Sequence, residues 1–173
     1  SMQMSLIVVT GYVLANTPLV KSALQKLSRL ATTPGKAIIL VTFVALIASL
    51  INYGFGLVVG ALLSIEIFKR MPSIDYRLLV ASAYSGFLVW HGGLSASIPL
   101  TIATSGHFLE DSMGTIPVSE TIFSSFNLFI VFAIVVTLPF LNRLLLKSRE
   151  GLDIQNPVDI ETFSFEDNEI VED

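Results

Sequence analysis

Two short stretches of this chain set helix-breaking residues beside polar side chains in the middle of apolar sequence. One is Asn52-Tyr53-Gly54-Phe55-Gly56; the other is Trp90-His91-Gly92-Gly93, with Ser95, Ser97 and Pro99 just beyond. Glycines two apart release the backbone from helix, and asparagine tolerates left-handed geometry, so each stretch is expected to interrupt a helix, with Gly54 at a positive-φ tip. An interrupted helix leaves its last carbonyls unpaired on one side of the gap and the first amides of its continuation on the other. Carbonyl ends attract cations and amide ends attract carboxylates. The chemistry this suits is reversible binding of a small organic anion together with Na⁺, without any charged side chain. Oxygens of Asn52, Ser95, Ser97 and Thr101 would complete the shells. Gly54, Gly56, Gly92 and Gly93 would admit close backbone approach, and His91 could hold a carboxylate or carry a proton.

Each residue also has a plainer reading. Gly56 and Gly60 have the spacing of a helix-packing face. Asn52 could simply satisfy backbone groups at a turn, although polar residues at membrane depth are costly and tend to be functional. His91 could only fix its loop, Asn127 is expected to hydrogen-bond a neighbour, and His107 is expected to be solvated. Gly93-Leu94-Ser95-Ala96 beside His91 also admits an intramembrane serine hydrolase, but Ser and His on one short loop are poorly placed for a dyad and no buried acid orients the imidazole. No catalytic residue is therefore assigned. With no cysteine, thiolate metal sites and disulfides are excluded. No cofactor or structural metal is expected, only a coupling Na⁺ or H⁺. No Asp or Glu lies in any apolar run, so a carboxylate proton relay is not available here.

The elements that must position these residues are membrane elements. Apolar residues make up 53% of the 173 and charged residues 14%, and the mean hydropathy is +0.74. Uncharged runs cover 1–20, 37–65, 78–109 and 121–142, each long enough to reach across a bilayer. The net charge of −4 misleads, because nine of the fourteen acids follow Leu146. If all four runs were simple spans, the ten Lys and Arg residues would divide four against six between the two sides. If the second run enters and returns, all ten share one side, the cytoplasmic one by the positive-inside rule. As a single helix its 29 residues would measure about 43 Å against a hydrocarbon core of about 30 Å. Charge and helix breaker thus both favour a re-entrant hairpin with two limbs of about a dozen residues.

The expected organisation is all-α and integral to the membrane: a transporter repeat over 1–149 and an acidic cytoplasmic tail over 150–173. Within the repeat come a span at 2–16, an interfacial helix at 18–31, the re-entrant hairpin at 37–65, a broken span at 78–103 and a span at 122–141. Thr17 and Pro18 read as N-cap and first residue of the interfacial helix. Pro139 is expected to bend the last turn of the final span. The start within an apolar stretch, Ser1-Met2-Gln3-Met4, reads as a cut, and no secretory signal pattern is visible.

With these breaks in place, the chain resembles the bacterial short-chain fatty acid transporters, which take up butyrate and acetoacetate. The resemblance is carried by Ile7-Val8-Val9-Thr10-Gly11, by Ile51-Asn52-Tyr53-Gly54-Phe55-Gly56-Leu57-Val58-Val59-Gly60-Ala61, by Gly86-Phe87-Leu88-Val89-Trp90-His91-Gly92-Gly93, by Ser95 to Leu100, and by Ile116-Pro117-Val118 to Phe126-Asn127. It covers nearly everything from Ser1 to about Leu146. It implies a secondary carrier for small monocarboxylates in the bacterial inner membrane, working by cation symport. It also implies the architecture of the wider ion-transporter superfamily, in which each inverted repeat has a re-entrant hairpin followed by a broken helix. Some family members have glycine where His91 stands, which argues against an essential proton role there. A complete carrier of this kind would be more than twice as long, with leading spans and a second, inverted half. The implied partners are the lipid bilayer, a short-chain carboxylate, that second repeat and a second copy in a homodimer, with no nucleic acid. A carrier for another organic anion is the alternative function.

Overall fold

The computed structural model describes residues 5, 6, 9, 10, 12, 13 and 17–148. Of the expected span over 2–16, the six described residues are helical; the remainder of it and the tail over 150–173 lie outside the described residues. Among the described residues all regular structure is helical. Helix α1 covers Pro18–Ser28, with Thr17 as N-cap and Pro18 at its start, as the sequence predicts. Its basic residues Lys21 and Lys26 are exposed, whereas Leu24 is buried against the rest of the fold.

Helices α2 (Pro34–Ile51) and α3 (Tyr53–Arg70) are separated by Asn52 alone and fold back on one another. Two rungs of this antiparallel pair are seen at Gly56 against Ser49 and Gly60 against Ala45. A side chain on Gly56 would lie 2.6 Å from the Ser49 amide nitrogen, a distance that backbone cannot yield without moving the helices apart. A side chain on Gly60 would meet the methyls of Ala83 and Ala45 at 3.3–3.4 Å and the Ala83 carbonyl oxygen at an ordinary 3.6 Å. The packing reading of this glycine pair therefore holds, most tightly at Gly56. α2 is apolar all round, so its sequence does not mark a buried face; the small residues on the facing surfaces decide it.

Each limb has 18 residues, about 27 Å, rather than about a dozen. The cause lies at the ends: Thr33 and Pro34 start α2 before the apolar run begins, and Lys69 and Arg70 extend α3 beyond it. The tip also differs from expectation. Asn52 is extended (φ −153°, ψ 125°), and Gly54 lies inside α3 with an ordinary φ; among the described residues the positive-φ glycines are Gly106 and Gly114. One extended residue is enough to reverse the chain, so Gly54 is not needed for left-handed backbone.

After a short turn, Asp75 caps α4 (Tyr76–Ser85), accepting from the Arg77 and Leu78 amides at 3.1 and 3.3 Å. A 3₁₀ segment, Gly86–Gly92, continues it, and the chain turns before α5 (Ser97–Ile102). The helical structure is interrupted between them, at 93–96. A single turn, α6 (Glu110–Met113), lies in the following loop. There His107 is not merely solvated: its Nδ1 accepts from the Leu109 amide at 3.2 Å, which leaves Nε2 to donate to the Gly114 carbonyl at 3.1 Å.

Helix α7 (Ser125–Ser148) is 24 residues long and runs on past Pro139, which lies in its interior instead of its last turn. α2 and α7 are long and apolar enough to cross a membrane. α2 lies at the centre, touching α3, α4, the 3₁₀ segment and α7. At the open end of the hairpin, Lys36 begins α2 and Arg70 ends α3, and Arg143 of α7 packs beside Gly35.

Candidate functional site

The two breaks meet. The Leu94 amide donates to the Leu50 carbonyl at 2.7 Å, and the Tyr53 amide donates to Ser95 Oγ at 3.1 Å. Gly93 lies so close to the hairpin that an added Cβ would collide with the Leu50 carbonyl oxygen and sit 2.7 Å from Leu50 Cα. Here glycine serves close approach, because only a residue without Cβ lets the break rest on the end of α2. Gly92 plays the same part on the other side, where a Cβ would come within 2.6 Å of a Val131 methyl on α7. Asn127 of α7 donates from Nδ2 to the Gly92 carbonyl at 3.1 Å and to the Ile122 carbonyl at 2.7 Å, the neighbour contact expected of it.

The hydrogen bonds divide the available groups by sign. Asn52 Oδ1 accepts from the Phe55 amide at 3.0 Å, and the Asn52 carbonyl accepts from the Gly56 amide at 2.9 Å. Asn52 is therefore an N-cap in fact, while its Nδ2 has no hydrogen-bond partner among the described residues. Ser95 Oγ accepts from Tyr53, and its own O–H is likewise uncommitted among the described residues. The carbonyls were expected to be free for a cation. Instead Leu50, Trp90, Gly92 and Gly93 each accept an N–H, from Leu94, Gly93, Asn127 and Ala96. These four acceptors are engaged by the meeting of the breaks, whereas two side-chain donors beside the N-terminus of α3 are not. Such a set favours a carboxylate over a cation.

The other expected residues are less closely gathered. Gly54 and Gly56 lie buried in the first turn of α3. Ser97 opens α5, exposed and without a side-chain cap bond, and Thr101 Oγ1 donates to the Ser97 carbonyl at 2.7 Å; no hydrogen bond brings either to Asn52 among the described residues. His91 is exposed with its ring centroid 3.8 Å from that of Trp90, and it makes no hydrogen bond to Ser95 among the described residues. The serine-histidine dyad that a hydrolase would need is not formed.

Sequence reasoning missed Asn142. Its Nδ2 donates to Thr42 Oγ1 at 3.0 Å and to Ser85 Oγ at 2.8 Å, tying α7 to α2 and α4 in the interior. Both hydroxyls turn their own hydrogens onto helix carbonyls, Thr42 to Ile38 and Ser85 to Ser82, so the amide supplies what they lack. In the sequence Asn142 precedes Arg143 and reads as the end of a span. Only the longer α7 makes it internal.

Among the described residues the chain is all-helical with two helices long and apolar enough to cross a membrane, which is consistent with a membrane protein. Comparison with known proteins gives the family. A model described as "Short chain fatty acid transporter" matches residues 1–170, and the chain belongs to that family. A protein of Escherichia coli (strain K12) named "Putative short-chain fatty acid transporter" is 50% identical over 145 residues, covering 84% of this chain and 33% of its own length. A protein of the same name from Haemophilus influenzae (strain ATCC 51907 / DSM 11121 / KW20 / Rd) is 43% identical over 152 residues, covering 84% and 34%. The chain thus spans about a third of the length of these relatives. No solved structure matches it.

Proposed function

We propose that this chain is one repeat of a secondary carrier that takes up short-chain monocarboxylates, such as butyrate or acetoacetate, across the bacterial inner membrane by cation symport. In this reading α2 and α3 form a re-entrant hairpin entering from the cytoplasmic side, where the basic residues and the acidic tail lie. The substrate carboxylate binds at Asn52 Nδ2 and the Ser95 hydroxyl, beside the N-terminus of α3. The observation that carries this is the division of groups at the meeting of the two breaks: the Leu50, Trp90, Gly92 and Gly93 carbonyls are engaged, and two side-chain donors are free among the described residues. Charge-assisted bonds to a buried carboxylate are roughly twice as strong as neutral ones, so a neutral site can still hold an anion. In this reading the coupling ion, Na⁺ or H⁺, is held away from these four engaged carbonyls.

The test is uptake of labelled butyrate by the complete gene product in proteoliposomes, with a Na⁺ gradient, a proton gradient or neither. Uptake driven by one gradient, and weakened more than tenfold in apparent affinity by Ser95→Ala, is the expected result. Uptake of another organic anion but not of butyrate would transfer the same site to a different substrate.

A further inference from the structure

The two sides of α2 keep different company. Thr42, Ala45, Ser49 and Leu50 serve the packed side: Thr42 holds Asn142, Ala45 and Ser49 meet α3, and the Leu50 carbonyl holds the second break. The opposite side carries Phe43, Ile47 and Ile51, which are 46%, 40% and 56% exposed. Apolar side chains four residues apart form one stripe of a helix. Across from this stripe stands the apolar face of α1, where Leu19 is 79% exposed. Between the two lies a groove of about 300 Å³ lined by apolar side chains alone, with buried Leu24, Ala48 and Val59 among them.

Charge gathers where α1 and α2 are joined. Lys26 lies in the last turn of α1, Arg29 caps its C-terminus, and Lys36 lies in the first turn of α2, so the short connection holds three bases together. The first acid in the chain is Glu66, which pairs with Lys69 at 3.7 Å. Among the described residues none of the three bases has a carboxylate partner. Lys36 Nζ gives one hydrogen to Thr32 Oγ1 at 3.1 Å and keeps two. Lys36 also stands in line with Phe43 and Ile47, about two and three turns further along α2. From Lys36 to Ile51 the helix rises about 22 Å, half of a bilayer of about 40–45 Å with its headgroups. Positive charge at the foot, with an apolar groove above it over the height of one leaflet, is the complement of an anionic lipid. An apolar helix would fill the groove equally well, but it would leave the bases without counter-charge.

We propose that this groove holds an acyl chain of an anionic phospholipid of the cytoplasmic leaflet, with the headgroup phosphate at Lys26, Arg29 and Lys36. The lipid packs between α1 and the back of the hairpin, on the side of α2 away from the second break, and is neither substrate nor coupling ion. The leaflet follows from the re-entrant placement proposed above; the groove and its bases do not depend on the carboxylate site.

The test places the complete carrier in phosphatidylcholine vesicles with a trace of photoreactive phosphatidylglycerol or photoreactive phosphatidylcholine, the reactive group being near either end of the acyl chain. Labelled residues are read by mass spectrometry. Phosphatidylglycerol should label the groove about tenfold more than phosphatidylcholine, as expected of a few bases beside one anionic headgroup. The head-end probe should mark Phe43, and the tail-end probe Ile51 and Phe55. Replacing Lys26, Arg29 and Lys36 together by Gln should abolish the preference, while Ile47→Trp, which fills the groove, should abolish labelling by both lipids. Equal labelling of the wild type by the two lipids would overturn the anionic site. Labels in the reverse order would overturn it too, and so would an unlabelled groove, which would mean that another part of the carrier covers it. If the labels are as expected but cysteines at Gln25 and Ser73 lie on opposite sides of the membrane, the re-entrant reading falls and the lipid site stands.

Discussion

Asn52 holds two roles that substitution can separate. Its Oδ1 caps α3 through the Phe55 amide, and its Nδ2 is the donor assigned to the substrate. Serine caps a helix about as well as asparagine but has no amide to offer, whereas alanine removes cap and donor together. Asn52→Ser should therefore unfold like the wild type yet lose more than tenfold in apparent substrate affinity, as expected for one hydrogen bond to a charged group. Asn52→Ala should show the same loss and also about 1 kcal/mol lower stability. Wild-type uptake by Asn52→Ser would reduce Asn52 to its cap. Residue types are legible in the sequence at this scale: Asn52 and Gly93 stand out as helix breakers and Ser95 as a polar oxygen beside the second break, and the three meet. Hydrogen-bond polarity was not legible, because it depends on which carbonyls the opposing break engages. Nor could Ser97 and His91, close in sequence, be separated from the meeting point without the 3₁₀ segment and turn that carry them away.

At the scale of elements, the close packing of the hairpin gives a contrast between two glycines four residues apart. Gly56→Ala puts a methyl against the Ser49 backbone, while Gly60→Ala meets the methyls of Ala83 and Ala45 and, at an ordinary distance, the Ala83 carbonyl oxygen. Overpacking that forces backbone to move costs about 1–3 kcal/mol, and Gly→Ala inside a helix returns up to about 1 kcal/mol of propensity. Gly56→Ala should thus lower the unfolding midpoint in detergent and Gly60→Ala should not; equal effects would deny the tight crossing at Ser49. The depth of the hairpin is tested separately by cysteines in this cysteine-free chain, placed at the exposed positions Gln25, Ser73 and Ser112. In the complete carrier, an impermeant reagent added outside should label Ser112→Cys and spare Gln25→Cys and Ser73→Cys. Labelling of Gln25→Cys and Ser73→Cys from opposite sides would mean that the second run crosses the membrane. The reversal at Asn52 was legible because that stretch carries the helix breaker; whether the pair is re-entrant rests on the charge argument that the labelling tests. Limb length was not legible, because caps and terminal Lys and Arg residues lengthen helices beyond an uncharged run.

On the scale of the whole chain, α7 joins the site to the rest of the bundle. Asn127 near its start holds the Gly92 carbonyl, and Asn142, four turns on, holds Thr42 and Ser85. Between these ties much of the helix surface is exposed and apolar, with Phe129, Phe132 and Phe140 outward. That face suits lipid or a further apolar helix. The polar ties fix which side of α7 turns inward, something that hydropathy in a uniformly apolar helix cannot encode. Hydrogen bonds between membrane helices average about 0.6 kcal/mol each, so Asn142→Ala should lower stability by about 1–2 kcal/mol for its two bonds. Thr42→Val removes one acceptor and should lower it less. In Asn142→Ala the Thr42 bond is already gone, so adding Thr42→Val should cost less than it does alone. Strict additivity of the two substitutions in thermal unfolding would mean that Asn142 and Thr42 do not act as a pair, and that α7 is oriented by its apolar contacts alone.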